Sequence, residues 1–147
     1  MVTKFTVVVD CADPARLTRF WAEALGYRVE GPPAGFDTWR AFWKSQRVPD
    51  EMTSEGDDRL SDPAGTGPRF WFHKVEERKS VKNRLHVDLN VSGGSDVARE
   101  QRVERVEAAA ERLVQLGAAR LGILEGAGPE HYAVEMLDPE GNEFDVN

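Results

Sequence analysis

Residues 82–91 read KNRLHVDLNV. Leu85, Val87, Leu89 and Val91 alternate with His86, Asp88 and Asn90. A period of two is the signature of a strand with two unlike faces. One face is aliphatic. The other carries an imidazole, a carboxylate and an amide in a row. That row is either the wall of a polar cavity or a solvated outer face with an incidental histidine. The surrounding chain decides which.

Downstream, Gly93-Gly94 breaks the strand and Ser95 is placed to cap a helix running to Leu116. Val103, Val106, Ala110, Leu113 and Val114 form its buried side, and Gly117 stops it. Three short strands are predicted at residues 119–124, 131–136 and 142–146. The turn DPEGN, Asp138 to Asn142, joins the last two.

Upstream, residues 69–75 (RFWFHKV) predict a strand with Phe70 and Phe72 on one face and Trp71 and His73 on the other. A charged linker, residues 76–82, follows it. Residues 45–68 have no periodicity and are rich in Asp, Glu, Ser, Gly and Pro. Such a run reads as a mobile surface excursion or a lid, and as the first target of a protease. Residues 38–44 (TWRAFWK) and 27–30 read as strands. Asp13-Pro14 opens a helix with Leu17, Phe20, Trp21, Ala24 and Leu25 in one stripe, stopped by Gly26. Residues 4–10 (KFTVVVD) are a strand with Phe5, Val7 and Val9 toward the core and Thr6, Val8 and Asp10 away from it.

The two halves therefore share an element order: strand, helix ending in Leu-Gly, three strands. Leu25-Gly26 and Leu116-Gly117 are the matching stops. This predicts an α+β fold of two βαβββ modules, about residues 1–76 and 82–147, forming a single domain over 1–147. Two such modules, each with its helix on one sheet face, can bring their bare faces together around a cavity. That arrangement favours the cavity reading of His86, Asp88 and Asn90.

Composition bounds the rest. The chain has 147 residues, with 40% hydrophobic and 31% charged, ordinary for a globular protein. A net charge of −7 argues against a nucleic-acid partner. No apolar run approaches a membrane span, and the start MVTKFTVVVD lacks the pattern of a signal peptide. Cys11 is the single cysteine, read as a small buried residue with no disulfide to make. The expected location is cytoplasmic. The glycine runs GPPAG and SGGSD lack the context of a phosphate loop.

Three stretches carry a family resemblance: DCADPARLTRFWAEALGY, KNRLHVDL and LDPEGNEFDV. In type and order they resemble the vicinal oxygen chelate superfamily, which holds the glyoxalase, bleomycin-resistance and extradiol-dioxygenase proteins. The chain looks most like its glyoxalase-like members. The resemblance implies a cup-shaped fold, a homodimer and a site inside the cup. It also implies metal ligands on the first and last strands of each module. The second-module His falls on His86 and the closing Glu on Asp145. The first-strand His falls on Thr6, a departure, and His73 is the best candidate for the fourth position. His73, His86 and Asp145 can hold a divalent metal such as Fe(II), Mn(II), Ni(II) or Zn(II). The other reading is a metal-free cup in which His86 and Asp145 hydrogen-bond, as in drug-sequestering relatives.

Thr6, Trp39, Trp71, Asp88 and Asn90 are the substrate-contact candidates. Trp39, Trp43 and Trp71 either line a flat pocket for an aromatic ligand or belong to the core. Glu135 is either a general base for proton abstraction beside a carbonyl or an ordinary wall residue. Lys82 and Arg84 either attract an anionic substrate or are exposed strand-end cations. Two functions follow: metal-assisted lyase, isomerase or dioxygenase chemistry on a small oxygenated molecule, or sequestration of a planar ligand without chemistry.

Overall fold

Val7, Val9 and Cys11 turn inward from the first strand while Thr6, Val8 and Asp10 stay exposed, as the alternation of the sequence requires. The computed structural model describes residues 2–124 and 131–147. It divides into two units, Met1–Arg78 and Lys79–Asn147.

The first unit runs β1 (Thr6–Cys11), α1 (Pro14–Leu25), β2 (Arg28–Val29), α2 (Trp39–Ser45), a 3-10 turn (Asp50–Met52), β3 (Arg59–Ser61) and β4 (Arg69–Lys74). The second runs β5 (Asp88–Leu89), α3 (Arg99–Gln115), β6 (Ala119–Leu124), β7 (Ala133–Leu137) and β8 (Glu143–Val146). Each unit holds one four-stranded sheet, ordered β1-β4-β3-β2 and β5-β8-β7-β6. In each, the first and last strands pair in parallel and the others antiparallel. The chain is thus two βαβββ modules of identical topology. The first carries an inserted helix, α2.

In the first unit α1 starts at Asp13, whose Oδ1 accepts the Arg16 N–H at 3.1 Å. Gly26 ends it at φ 67°, a left-handed conformation that a side chain would resist. Leu17, Phe20 and Trp21 are buried, and α1 packs on β3 and β4, whose Leu60, Phe70 and Phe72 are also buried. In the second unit Val106, Ala110 and Leu113 of α3 face Val134, Met136 and Phe144, all 0–1% exposed. Each of the larger of these side chains contributes about 1.5–3 kcal/mol by leaving water. The β7–β8 turn is held by Asp138, whose carboxylate accepts the Glu140 and Asn142 backbone N–H groups at 2.9 Å and the Asn142 amide. Among the described residues no helix is long and apolar enough to cross a membrane.

Several expectations are corrected. Residues 38–44 form a helix, not a strand. Thr38 Oγ1 caps it by accepting the Ala41 N–H at 3.1 Å. Trp39, Phe42 and Trp43 stand at i, i+3 and i+4, which puts all three rings on one helix face. That shared packing overrides the β-propensity of aromatics.

Residues 45–68 are not a free excursion. They contain β3, with Leu60 at 0% and Asp58 at 6% exposure, and the Asp58 carbonyl accepts the Phe72 N–H at 2.8 Å. The loop after β3 is also tied down, because Asp62 accepts the backbone N–H groups of Ala64, Thr66 and Gly67. These bonds lower the Asp62 carboxyl to a pKa of about 2.

The strand expected over residues 82–91 is regular only at Asp88–Leu89, and Leu85 is 88% exposed. The helix expected from Ser95 begins at Arg99 behind Ala98, with no side-chain cap. Val114 and Phe5, expected in the core, are exposed.

Glu107 of α3 fastens the helix to the sheet edge. It makes a two-pronged ion pair with Arg120 of β6 at 2.6 Å and accepts the Tyr132 hydroxyl. The Arg120 guanidinium first, and the Tyr132 hydrogen bond second, hold Glu107 down at a pKa of about 2. A carboxylate lowered in the fold contributes stability above its ordinary pKa of 4.5, lost as the pH falls toward about 2. Glu107→Gln is therefore expected to lower the thermal midpoint at pH 7 and to flatten its fall between pH 4.5 and 2. Thermal scans across that range check it; parallel wild-type and variant profiles would refute it.

Candidate functional site

The site is built on the face of the second sheet turned away from α3. Val134, Met136, Phe144 and Val146 point to the helix side and are buried. By alternation Glu135, Glu143 and Asp145 take the other face. Register then aligns them: Asp88 of β5 is opposite Asp145 of β8, and Asp145 is opposite Glu135 of β7. Three carboxylates thus stand side by side across three strands. Gly122 of β6, opposite Glu135, ends the row without a side chain.

His86 joins this row from the segment leading into β5. Its Nε2 lies 3.4 Å from Asp88 Oδ1 and 3.7 Å from Asp145 Oδ2. One donor atom each from His86, Asp88 and Asp145 fall within 4.8 Å of one another. Lys82 Nζ lies 3.7 Å from Glu135 Oε1 at the far end of the row.

Asp145 is the least exposed of the three donors, its side chain 18% accessible. Burial first, then the negative charges of Asp88 and Glu135, push its carboxyl above the ordinary range; His86 and Lys82 pull the other way. Like charges have been gathered here at an electrostatic cost.

Those spacings bear on what the cluster can hold. A charge-assisted hydrogen bond between imidazole and carboxylate is about 2.7–2.9 Å long. Both His86 contacts are longer. Two donors bound to one divalent ion, each about 2.1 Å from it, are at most about 4.2 Å apart. Both contacts fall inside that limit. One imidazole and two carboxylates are also a donor set that Mn, Fe, Ni and Zn accept. The donor types suit a divalent cation, and both His86 spacings leave room for one between the donors.

The other sequence candidates lie as follows. Asn90, exposed, donates to the Asp88 carbonyl at 3.4 Å. Thr6 is exposed on β1 in register with Arg69. His73, on β4, has Nδ1 3.1 Å from Asp10 Oδ1, its partner in the parallel register, and its ring lies 4.9 Å from Trp71. Trp39 and Trp71 belong to an aromatic box in the first unit. Trp39 and Trp43 stack with centroids 5.5 Å apart. The guanidinium of Arg59 sits 5.1, 5.5 and 5.3 Å from the rings of Trp39, Trp43 and Trp71. Asp58 pairs with Arg59 at 2.7 Å and accepts the Trp71 indole N–H at 3.2 Å, while the Trp39 indole donates to the Glu30 carbonyl at 3.0 Å. The three rings enclose a side chain of this protein.

Sequence reasoning placed Asp88 among substrate contacts; the structure puts it with the candidate metal donors. The signal was the His86-x-Asp88 spacing, which sets both side chains on one side of a strand. Arg59 and Asp58 lay in the aperiodic stretch and gave no signal.

The family model for the glyoxalase-like domain matches residues 6–147. The chain belongs to that family. No curated protein matches it. Among solved structures, the glyoxalase-like chain resembles a glyoxalase/bleomycin resistance protein/dioxygenase family enzyme from Burkholderia phytofirmans, with 16% identity, 97% of this chain and 94% of that one covered, and a TM-score of 0.58. It also resembles two fosfomycin resistance proteins named FosX. The one from Mesorhizobium loti is 12% identical, with 99% and 89% covered and a TM-score of 0.53. The other is a mutant from Listeria monocytogenes in complex with Mn(II) and 1S,2S-dihydroxypropylphosphonic acid, 12% identical, with 100% and 90% covered and a TM-score of 0.58. At such identities the likeness establishes the glyoxalase/bleomycin-resistance/dioxygenase fold.

Proposed function

We propose that this glyoxalase-like protein binds a divalent cation, of the Mn(II), Fe(II), Ni(II) or Zn(II) class, through His86, Asp88 and Asp145, and acts there on a small oxygenated molecule. The observation that carries this is the convergence of three donors within 4.8 Å, spaced more widely than hydrogen-bonded partners. The Mn(II) complex of the FosX relative supports the choice of cation class. A bound divalent ion supplies Lewis-acid polarisation of adjacent substrate oxygens. Glu135 stands next in the row and is the residue placed to take or return a proton. Lys82, beside it, offers positive charge to a developing oxyanion. Sequestration of a planar ligand by Trp39, Trp43 and Trp71 gains less support, since those rings pack on Arg59.

Asp145→Asn separates this reading from a structural one. A carboxyl whose pKa is raised in the fold contributes stability only at low pH, and that contribution is lost as the pH rises through the folded value. At pH 7 the ionised Asp145 therefore opposes folding of the metal-free protein. Asp145→Asn is expected to raise the thermal midpoint in chelator at pH 7, with the gain gone below about pH 4. The same change is expected to weaken cation binding. A lower midpoint with cation binding intact would make Asp145 a structural residue and sink the proposal.

A further inference from the structure

His86 lies outside any strand, since β5 begins only at Asp88. Two anchors bracket it. On one side the Val87 carbonyl accepts the Asp145 N–H at 3.0 Å. On the other, Glu143 reaches from β8 and accepts the Asn83 backbone N–H at 2.9 Å through Oε2, with Lys79 Nζ 3.2 Å from Oε1. Between these anchors lie only Arg84, Leu85 and His86, and Leu85 is 88% exposed, so apolar packing does not hold the segment. The Glu143 side chain is 15% exposed and stands on the same strand face as Asp145, two residues away. A three-residue bridge between fixed ends has little freedom. Released at Asn83, it would be part of an irregular run over residues 75–87, held near His86 by the exposed Lys82–Glu135 contact and the Val87 bond.

We infer that Glu143 is a positioning residue. Its carboxylate clamps the Asn83 backbone, and that clamp aims the His86 imidazole at Asp88 and Asp145. The inference rests on the proposed metal site for its consequence, but the clamp itself can be tested without a cation.

The experiment compares Glu143→Ala with Glu143→Gln. Both remove one negative charge, so both weaken the general attraction for a cation equally. Only Gln keeps an oxygen that can accept the Asn83 N–H. Three readouts are taken: amide exchange at Asn83, the ring NMR signals of His86, and calorimetric affinity for Mn(II) and Zn(II) alone. Glu143→Ala is expected to speed Asn83 exchange, to broaden or shift the His86 ring signals, and to cost about tenfold in affinity, the usual effect of losing a group that orients a ligand. Glu143→Gln is expected to stay within about threefold of wild type and to keep Asn83 protected. Equal losses in the two variants would show a through-space charge effect and overturn the clamp. Unchanged Asn83 exchange and His86 signals in Glu143→Ala would overturn it too. If wild type binds neither cation, the metal proposal fails, and the exchange and ring signals alone decide the clamp.

Discussion

His86→Ala is expected to abolish divalent-cation binding, with a loss above about 100-fold, since removing a ligand costs more than the roughly 10- to 100-fold lost with a group that only orients one. The imidazole is the one nitrogen donor in the cluster, beside two carboxylates already in mutual repulsion. Without it the remaining pair is Asp88 and Asp145, and oxygen donors alone bind Zn(II) and Ni(II) poorly. The fold should tolerate the change, because His86 is exposed and outside the strands. Calorimetry with Zn(II) and Mn(II), beside far-UV circular dichroism, checks both halves. Retained affinity in His86→Ala would place the cation elsewhere.

Gly56→Ala should be among the most damaging single changes in the first unit. Gly56 is buried, at φ 88°, where a side chain costs about 1–2 kcal/mol. A Cβ there would stand 1.6 Å from Trp39 Cδ1 and 2.3 Å from its indole nitrogen. Trp39 has no easy retreat: its N–H is bonded to Glu30, one ring face stacks on Trp43, and Arg59 lies against it. Overpacking of that kind adds roughly 1–3 kcal/mol. Together the loss should be about 3 kcal/mol or more, a fall in thermal midpoint of roughly 10 °C for a chain of this size. Denaturant unfolding followed by tryptophan fluorescence measures it. A loss under about 1 kcal/mol would mean the aromatic box is soft and Trp39 movable.

The sequence made much of the fold legible because its signals there were long or repeated. Residues 69–73 alternate over five positions, and the structure holds Phe70 and Phe72 inward. The α1 stripe and both Leu-Gly stops fall at real helix ends. The failures have physical causes. Residues 38–44 satisfy both a strand's composition and a helix's spacing, and only Phe36, Arg59 and the stacked rings around them settle the choice. β3 is three residues long with one apolar side chain, Leu60, too short for any period to show. At residues 82–86 the alternation is present, yet the backbone is held by the Glu143 side chain, sixty residues away at Asn83, which no local pattern reveals. For the site, alternation marked His86 and Asp88 as cavity residues, while the ligand role of His86 and the choice of Asp145 came only through resemblance. The proximity of Asp88 and Glu135 depends on strand register, which a sequence does not state.

The most direct test of the central claim is a titration of chelator-stripped wild type with Mn(II), followed by electron paramagnetic resonance of the free ion and repeated by calorimetry with Zn(II). One equivalent per chain, lost in His86→Ala and weakened in Asp145→Asn, is the predicted result. No binding of either ion by wild type, or binding that both variants retain, would contradict it.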